Sequence, residues 1–165
     1  TSSTITDLDK TTWNKLSDSK NSRMVQHYGY EYNYTTRSIG EKKDDIPLFL
    51  QDYKTLLTDV CLQLKLGDIN FNQCIVNNYY PGQGISPHID LVAYGGVIGC
   101  FSLGSGAMMI FERGDRKHEL YVKPNSLYIM SGDSRYKWKH SMSIRKYDNN
   151  IARERRVSIT FRNVP

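Results

Sequence analysis

The sequence predicts a mainly β fold of the α+β class, a jelly roll of two small facing sheets with N-terminal helices packed on one of them. Three observations lead there. The first third of the chain carries apolar residues at helical spacing, whereas from Phe71 onward it breaks into short β-rich runs punctuated by Gly and Pro turns. Many short strands of that kind bury their apolar faces by packing as two layers. The 165 residues contain no Pro/Gly/Ser-rich stretch long enough to divide them, so one domain over residues 1–165 is expected.

In chain order, Thr6 or Asp7 can cap a short helix running toward Leu16. Asp45 precedes a stronger helix with Pro47 in its first turn, where the missing N–H costs nothing. Phe49, Tyr53, Leu56, Leu57, Val60 and Leu64 fall at helical spacing in it, and Gly67 is placed to stop it. Between the helices lies an aromatic tract, Tyr28-Gly29-Tyr30-Glu31-Tyr32-Asn33-Tyr34, followed by Arg37. If extended, it puts Tyr28, Tyr30, Tyr32 and Tyr34 on one side. Such a tract is either a packed strand or hairpin, or a lid whose rings stack on a base. Both can hold together. Strands are then expected over residues 72–79, 97–103, 107–111, 119–122, 126–130, 136–140 and 156–161.

The net charge is +5. Residues 112–165 hold 13 Lys/Arg against 6 Asp/Glu, so the basic excess is C-terminal and suits a phosphate-bearing partner. The three cysteines, Cys61, Cys74 and Cys100, are odd in number and lack C-x-x-C spacing, which argues against a disulfide framework and a zinc knuckle. No long apolar run and no signal-like segment is present, so the chain reads as a soluble intracellular monomer, cytoplasmic or nuclear, with no membrane association.

Ser86-Pro87-His88-Ile89-Asp90 puts an imidazole and a carboxylate two residues apart, hence on one face of an extended segment. With a histidine from a neighbouring strand they make the facial 2-His-1-carboxylate set that leaves open positions on iron(II). His140 is the candidate third ligand. His118 sits in a charged turn and reads as solvated, and His27 has no acidic ligand beside it. An H-x-D alone is a weak signal. The last strand strengthens it, because Val157, Ile159 and Phe161 alternate with Arg156, Ser158, Thr160 and Arg162, one apolar face against one polar interior. Arg156 and Arg162 are about 20 Å apart along the strand, which suits a grip on the two ends of a short dicarboxylate. Asn77 and Tyr79, also two apart, can add hydrogen bonds from the facing sheet.

Four segments together resemble the AlkB family of iron(II)- and 2-oxoglutarate-dependent dioxygenases: Asn77-Asn78-Tyr79-Tyr80-Pro81-Gly82, His88-Ile89-Asp90, Gly132-Asp133-Ser134-Arg135 followed by His140, and Arg156 through Arg162. Ser102-Leu103-Gly104 stands between them in family order. The resemblance implies a double-stranded β-helix, Fe(II), 2-oxoglutarate and O2. His88, Asp90 and His140 would bind the iron. Arg156 would pair with the distal carboxylate of 2-oxoglutarate, assisted by Asn77, Tyr79 and Ser158, with Arg162 beside the keto end. Residues from about 70 to 163 would form the catalytic core, and those from about 20 to 45 a nucleotide-recognition lid in which Tyr28, Tyr30, Tyr32, Tyr34 and Arg37, with Arg135, meet the substrate.

The resemblance implies oxidation of a base in single-stranded DNA or RNA, with carbon dioxide and succinate as coproducts. A base must leave its stack to reach the iron. The principal expectation is demethylation of an alkylated base with release of formaldehyde. Val92 stands where the bacterial repair enzyme has an acidic base reader, and H-I-D, Ser158, Ser134-Arg135-Tyr136 and the tyrosine tract look closer to the branch that modifies wobble uridine in tRNA. Stable hydroxylation of a tRNA uridine is therefore the alternative, with a protein-directed oxygenase on the same fold as a further one.

Overall fold

A computed structural model describes residues 2–165. The elements are α1 (Ser2–Asp9), β1 (Asn14–Lys15), β2 (Met24–Asn33), β3 (Ser38–Lys42), α2 (Leu48–Gln63), β4 (Gln73–Tyr79), β5 (Ile85–His88), β6 (Val97–Gly104), β7 (Ala107–Arg113), β8 (Arg116–Val122), β9 (Ser126–Ser131), α3 (Gly132–Tyr136), β10 (Lys139–Met142), β11 (Tyr147–Asp148), β12 (Ile151–Ala152) and β13 (Arg156–Arg162). The larger sheet runs β1-β2-β4-β13-β6-β9, with β3 paired to β2; the smaller runs β5-β10-β7-β8. All of these ladders are antiparallel. The expected jelly roll is therefore present, and both helices pack on the outer face of the larger sheet.

Two cores follow from strand alternation. On the helix side, Val76, Phe101, Val157, Ile159 and Phe161 meet Leu8, Leu50, Leu57 and Cys61. Between the sheets, Tyr79 meets Ala107, Met109, Val122 and Met142, with Ile85, Phe111 and Tyr128 packed against them. Gly99 lets α2 approach β6 closely, because a Cβ there would collide with Leu57. The three cysteines are buried free thiols.

Several local expectations are corrected. The first helix is Ser2–Asp9, and so ends near where its start was expected; a turn closes it (Lys10 N–H to Asp7, 3.2 Å; Thr11 N–H to Leu8, 3.0 Å), and the β-branched pair Thr11-Thr12 does not extend it. Pro47 is the N-cap of α2 rather than a first-turn residue. The buried stripe of α2 centres on Leu50, Leu57 and Cys61, while Leu56 and Leu64 are exposed. Its stop is Lys65, in the left-handed region at φ 58°, with Lys65 N–H bonded to Leu62 and Leu66 N–H to Cys61, the Schellman pattern; Gly67 lies beyond it. The strand expected over 136–140 begins only at Lys139. Before it, Ser134 Oγ accepts the Ser131 N–H at 3.0 Å and donates to the Ser131 carbonyl at 2.8 Å, starting the short helix α3 that absorbs Tyr136.

The tyrosine tract is a strand, but its four rings do not share a face. β2 pairs with β4 as far as Gly29, whose φ of 75° breaks the alternation, and the β2–β3 register then slips between Tyr30 and Tyr32. Tyr28, opposite Cys74, points to the helix side and is core; its hydroxyl donates to Gln26 at 2.6 Å. Beyond Gly29 the β2–β3 hairpin leaves the sheet as a flap.

Candidate active site

Antiparallel pairing of β5 with β10 puts His88 opposite His140, their rings 4.2 Å apart. Asp90 follows two residues after His88. Its Oδ1 is 3.3 Å from His88 Nε2 and 3.4 Å from His140 Nε2. One ligand atom from each residue lies within 4.8 Å of the others, so the three can hold a metal ion. His88 Nδ1 bonds to the Ser86 carbonyl at 2.7 Å, which places its proton there and leaves the Nε2 lone pair facing the cluster. Burial drives the His140 pKa down to about 4, Asp90 opposing and His88, Arg162 and Arg135 adding, so this imidazole is neutral at pH 7. Burial works against ionising Asp90, but Arg162, His88 and His140 outweigh it and hold the carboxyl well below its usual range. Arg162 does most of this directly, its Nε donating to Asp90 Oδ2 at 2.7 Å.

Behind the cluster, between the sheets, lies a small chamber lined by Asn77, Tyr79, Tyr128, His140, Arg156, Ser158, Thr160 and Arg162, among others. Arg156, Ser158, Thr160 and Arg162 reach it because they are the even face of β13; Asn77 and Tyr79 reach it not from the facing sheet, as expected, but from β4, the neighbour of β13 in the same sheet, where they stand beside Ser158 and Arg156. Arg156 is buried; its Nε donates to Ser102 Oγ at 2.9 Å, while its Nη2 has no hydrogen-bond partner. A buried guanidinium nitrogen without an acceptor is costly, and a carboxylate satisfies it. The chamber thus fits an anionic cosubstrate next to a metal.

In front of the cluster opens a cleft of about 520 Å³, lined by Arg23, Tyr32, Tyr34, Arg37, Asn77, Pro87, His88, Asp90, Tyr94 and Arg162, among others. Of the tract, Tyr32 and Tyr34 line it and Arg37 joins them. Tyr28 is in the core, and Tyr30 is half-buried outside this lining. Arg135 is not a surface contact either. It is 2 % exposed, and its guanidinium donates to the carbonyls of Gly95, Asp90, Leu91 and Tyr94, clamping the turn that carries Asp90. Three residues were missed. Arg23 bonds to Asn77 Oδ1 at 2.7 Å from a loop without pattern, Tyr94 lies in the turn after Asp90, and Tyr128 alternates with Leu127 and Ile129, a period-two signal that pointed it inward.

The profile of the 2OG-Fe(II) oxygenase superfamily matches residues 5–162. Uncharacterized protein L905 of Acanthamoeba polyphaga mimivirus is 40% identical over 152 residues, which cover 86% of this chain and 70% of that protein. The tRNA (carboxymethyluridine(34)-5-O)-methyltransferase alkbh8 of Xenopus tropicalis is 36% identical over 146 residues, covering 86% of this chain. The chain belongs to the 2OG-Fe(II) oxygenase superfamily, as a member of its AlkB family. It spans 23% of the Xenopus protein's length. The structure of OsALKBH1 superposes with a TM-score of 0.65 over 86% of this chain and 78% of that one, and at 19% identity the likeness is one of fold. As a 2OG-Fe(II) oxygenase the chain uses Fe(II), 2-oxoglutarate and O2. Among the described residues no helix is long and apolar enough to cross a membrane.

Proposed function

We propose that this chain hydroxylates an unpaired RNA base, a uridine with a carbon side chain in tRNA, and acts as one domain in one copy. The observation that carries the choice is the charge of the outer cleft. Arg23, Arg37 and Arg162 line it, and its one carboxylate, Asp90, is already tied to Arg162. Bases such as 1-methyladenine and 3-methylcytosine are cations, which such a wall repels. A uridine is neutral, and an acidic side chain on it is attracted. Val92, 76 % exposed, supplies no charge to offset this. The balance favours the modified uridine over demethylation, in line with the name of the Xenopus relative.

In this reading His88, Asp90 and His140 hold Fe(II). When bound with 2-oxoglutarate and O2, it supplies the oxidant that turns a substrate C–H into C–OH while 2-oxoglutarate becomes succinate and CO2. Arg156 takes the far carboxylate of 2-oxoglutarate, with Ser158, Asn77 and Tyr79 around it and Arg162 at the metal end. Tyr32 and Tyr34 stack on the base, while Arg37 and Arg23 meet its acidic groups or phosphates. Hydroxyl added to a carbon side chain stays there, whereas hydroxyl added to an N-methyl group is lost as formaldehyde.

The test is mass spectrometry of tRNA and of a panel of modified oligonucleotides after incubation with Fe(II), ascorbate and 2-oxoglutarate. The expected product is heavier by one oxygen, with matched succinate and no formaldehyde. Formaldehyde equal to succinate would establish demethylation instead, and succinate formation indifferent to every nucleic acid would point to another substrate class.

A further inference from the structure

His27 sits on β2 opposite Ile75, on the site-facing side of the larger sheet, and both its ring nitrogens are engaged. The Tyr32 backbone N–H donates to Nδ1 at 3.3 Å, and Nε2 lies 3.0 Å from the Tyr34 hydroxyl. A backbone N–H can only donate, so Nδ1 offers its lone pair and the single proton of a neutral imidazole is on Nε2. A doubly protonated ring would set N–H against N–H at Nδ1. Burial lowers the His27 pKa further, with Arg162, Arg23 and Lys43 adding and Glu31 opposing. Nε2–H therefore donates to the Tyr34 oxygen. This occupies an acceptor position of that hydroxyl and leaves its own proton for the cleft.

The rest of the wall agrees. The Tyr34 ring is held by His27 (centroids 5.4 Å apart) and by the edge contact with Tyr32 (4.9 Å), so its direction is set by packing as well. Tyr94, 3 % exposed and lining the same cleft, has a hydroxyl with no hydrogen-bond partner. Burial raises its pKa to about 12, so it too is a donor at neutral pH. Two protonated phenols lining one cleft can each be satisfied by an acceptor on the ligand.

We infer that His27 is a positioning residue that presents Tyr34 as a hydrogen-bond donor, beside Tyr94, to an acceptor oxygen of the substrate base, and so selects bases with carbonyl or carboxylate edges. This rests on the proposed action on a uridine. The O2 and O4 of uracil accept; the amino group of cytosine or adenine would meet Tyr34, whose oxygen already accepts from His27, donor to donor.

The test uses the oligonucleotide that the wild-type chain oxidises and three substitutions. Asn at position 27 keeps a carbonyl near the Nδ1 position for the Tyr32 N–H, whereas Gln reaches the Nε2 position and can still donate to Tyr34. His27→Asn and Tyr34→Phe should each raise the KM for the oligonucleotide about tenfold, the worth of one neutral hydrogen bond, without moving the KM for 2-oxoglutarate. The double variant should be no worse than either single one, and His27→Gln should recover most of the loss. Should His27→Asn not fold, Tyr34→Phe, which removes one atom from a 38 % exposed residue, carries the test. Unchanged KM in Tyr34→Phe, additive losses in the double variant, or a Gln variant as poor as the Asn variant each overturn the inference. If the wild-type chain oxidises no nucleic acid, the proposed function falls and this inference with it; if it does and the variants match it, only this inference falls.

Discussion

Arg156 and Arg162 show how differently two identical side chains on one strand face can be used. Arg162 already has its counter-charge in Asp90, whereas Arg156 holds a buried Nη2 with no partner. Arginine's planar fork can serve Ser102 with one nitrogen and a carboxylate with the others; a lysine ammonium cannot. Arg156→Lys should therefore raise the KM for 2-oxoglutarate by about ten- to a hundredfold, the range of a charge-assisted hydrogen bond, and leave the oligonucleotide KM near the wild-type value. Steady-state succinate formation at varied cosubstrate checks this, and an unchanged cosubstrate KM would place the carboxylate elsewhere. At this scale the sequence was informative where chemistry obeys a period of two. His88 and Asp90, Asn77 and Tyr79, and the even residues of β13 reach one site because they alternate. Arg135 was misread because a buried guanidinium that caps carbonyls looks the same in sequence as a solvated one, and Arg23 and Tyr94 because irregular loops have no period to read.

Elements matter here through what they hold in place. Most jelly-roll strands were legible as short β-rich runs between turns, with clear alternation in β13, whereas β5 was not expected and α3, whose last residue Tyr136 was placed in a strand, was hidden because its start depends on one serine pair. That small helix has a large consequence. It delivers Arg135 to four carbonyls of the turn after β5, including that of Asp90 itself at 3.0 Å. Burial lowers the Arg135 pKa, with Asp90 opposing, but the group stays a cation, faced by these carbonyls and by the Tyr136 ring, whose centroid is 4.5 Å away. Arg135→Met fills similar space and removes a donor from each of the four carbonyls, of which that of Leu91 keeps the Tyr94 N–H. We expect a loss of about 3 kcal/mol in unfolding free energy, by denaturant titration, since several buried acceptors go unpaired at once. Metal affinity should also fall, on the order of tenfold, although Arg135 does not belong to the metal cluster, because the backbone that aims Asp90 is released. Metal affinity equal to wild type in a folded variant would show that the turn holds its shape without the clamp.

Across the whole molecule, the C-terminal basic excess is divided: Arg113, Arg116, Lys117, Lys123, Lys137, Lys139 and Lys146 are exposed, while other members of it are spent inside the fold. Arg135, Arg153 and Arg156 are buried, and Arg162 is bound to Asp90. Arg153 is consumed by Asp148, whose carboxylate also takes Arg145 and the Met108 N–H, pinning the β11–β12 hairpin. Apart from Arg162, the cations at the cleft itself are brought there by the fold from another part of the chain. Arg23 and Arg37 stand at the cleft. Beside it, the β4–β5 loop runs into Ile85 and Ser86 of the cleft wall. Exposed Lys20 adjoins this loop through the bond from Gln83 Nε2 to its carbonyl (3.1 Å), and exposed Lys146 does so by lying over Gly82, whose N–H bonds to Arg145. Lys20 and Lys146 thus both adjoin the loop that leads into the cleft wall, and whether they hold a nucleic-acid backbone is testable. Each phosphate neutralised on single-stranded nucleic acid contributes about −0.7 to the slope of log K against log salt. Replacing Lys20 and Lys146 together by Ala should make that slope shallower by about 1.4 and weaken binding equally for every sequence, with the KM for 2-oxoglutarate unmoved. Neither lysine lies within the chamber or the cleft lining, so a change confined to oligonucleotide affinity identifies them as backbone contacts. A slope identical to that of the wild type would show that neither lysine contacts the nucleic-acid backbone.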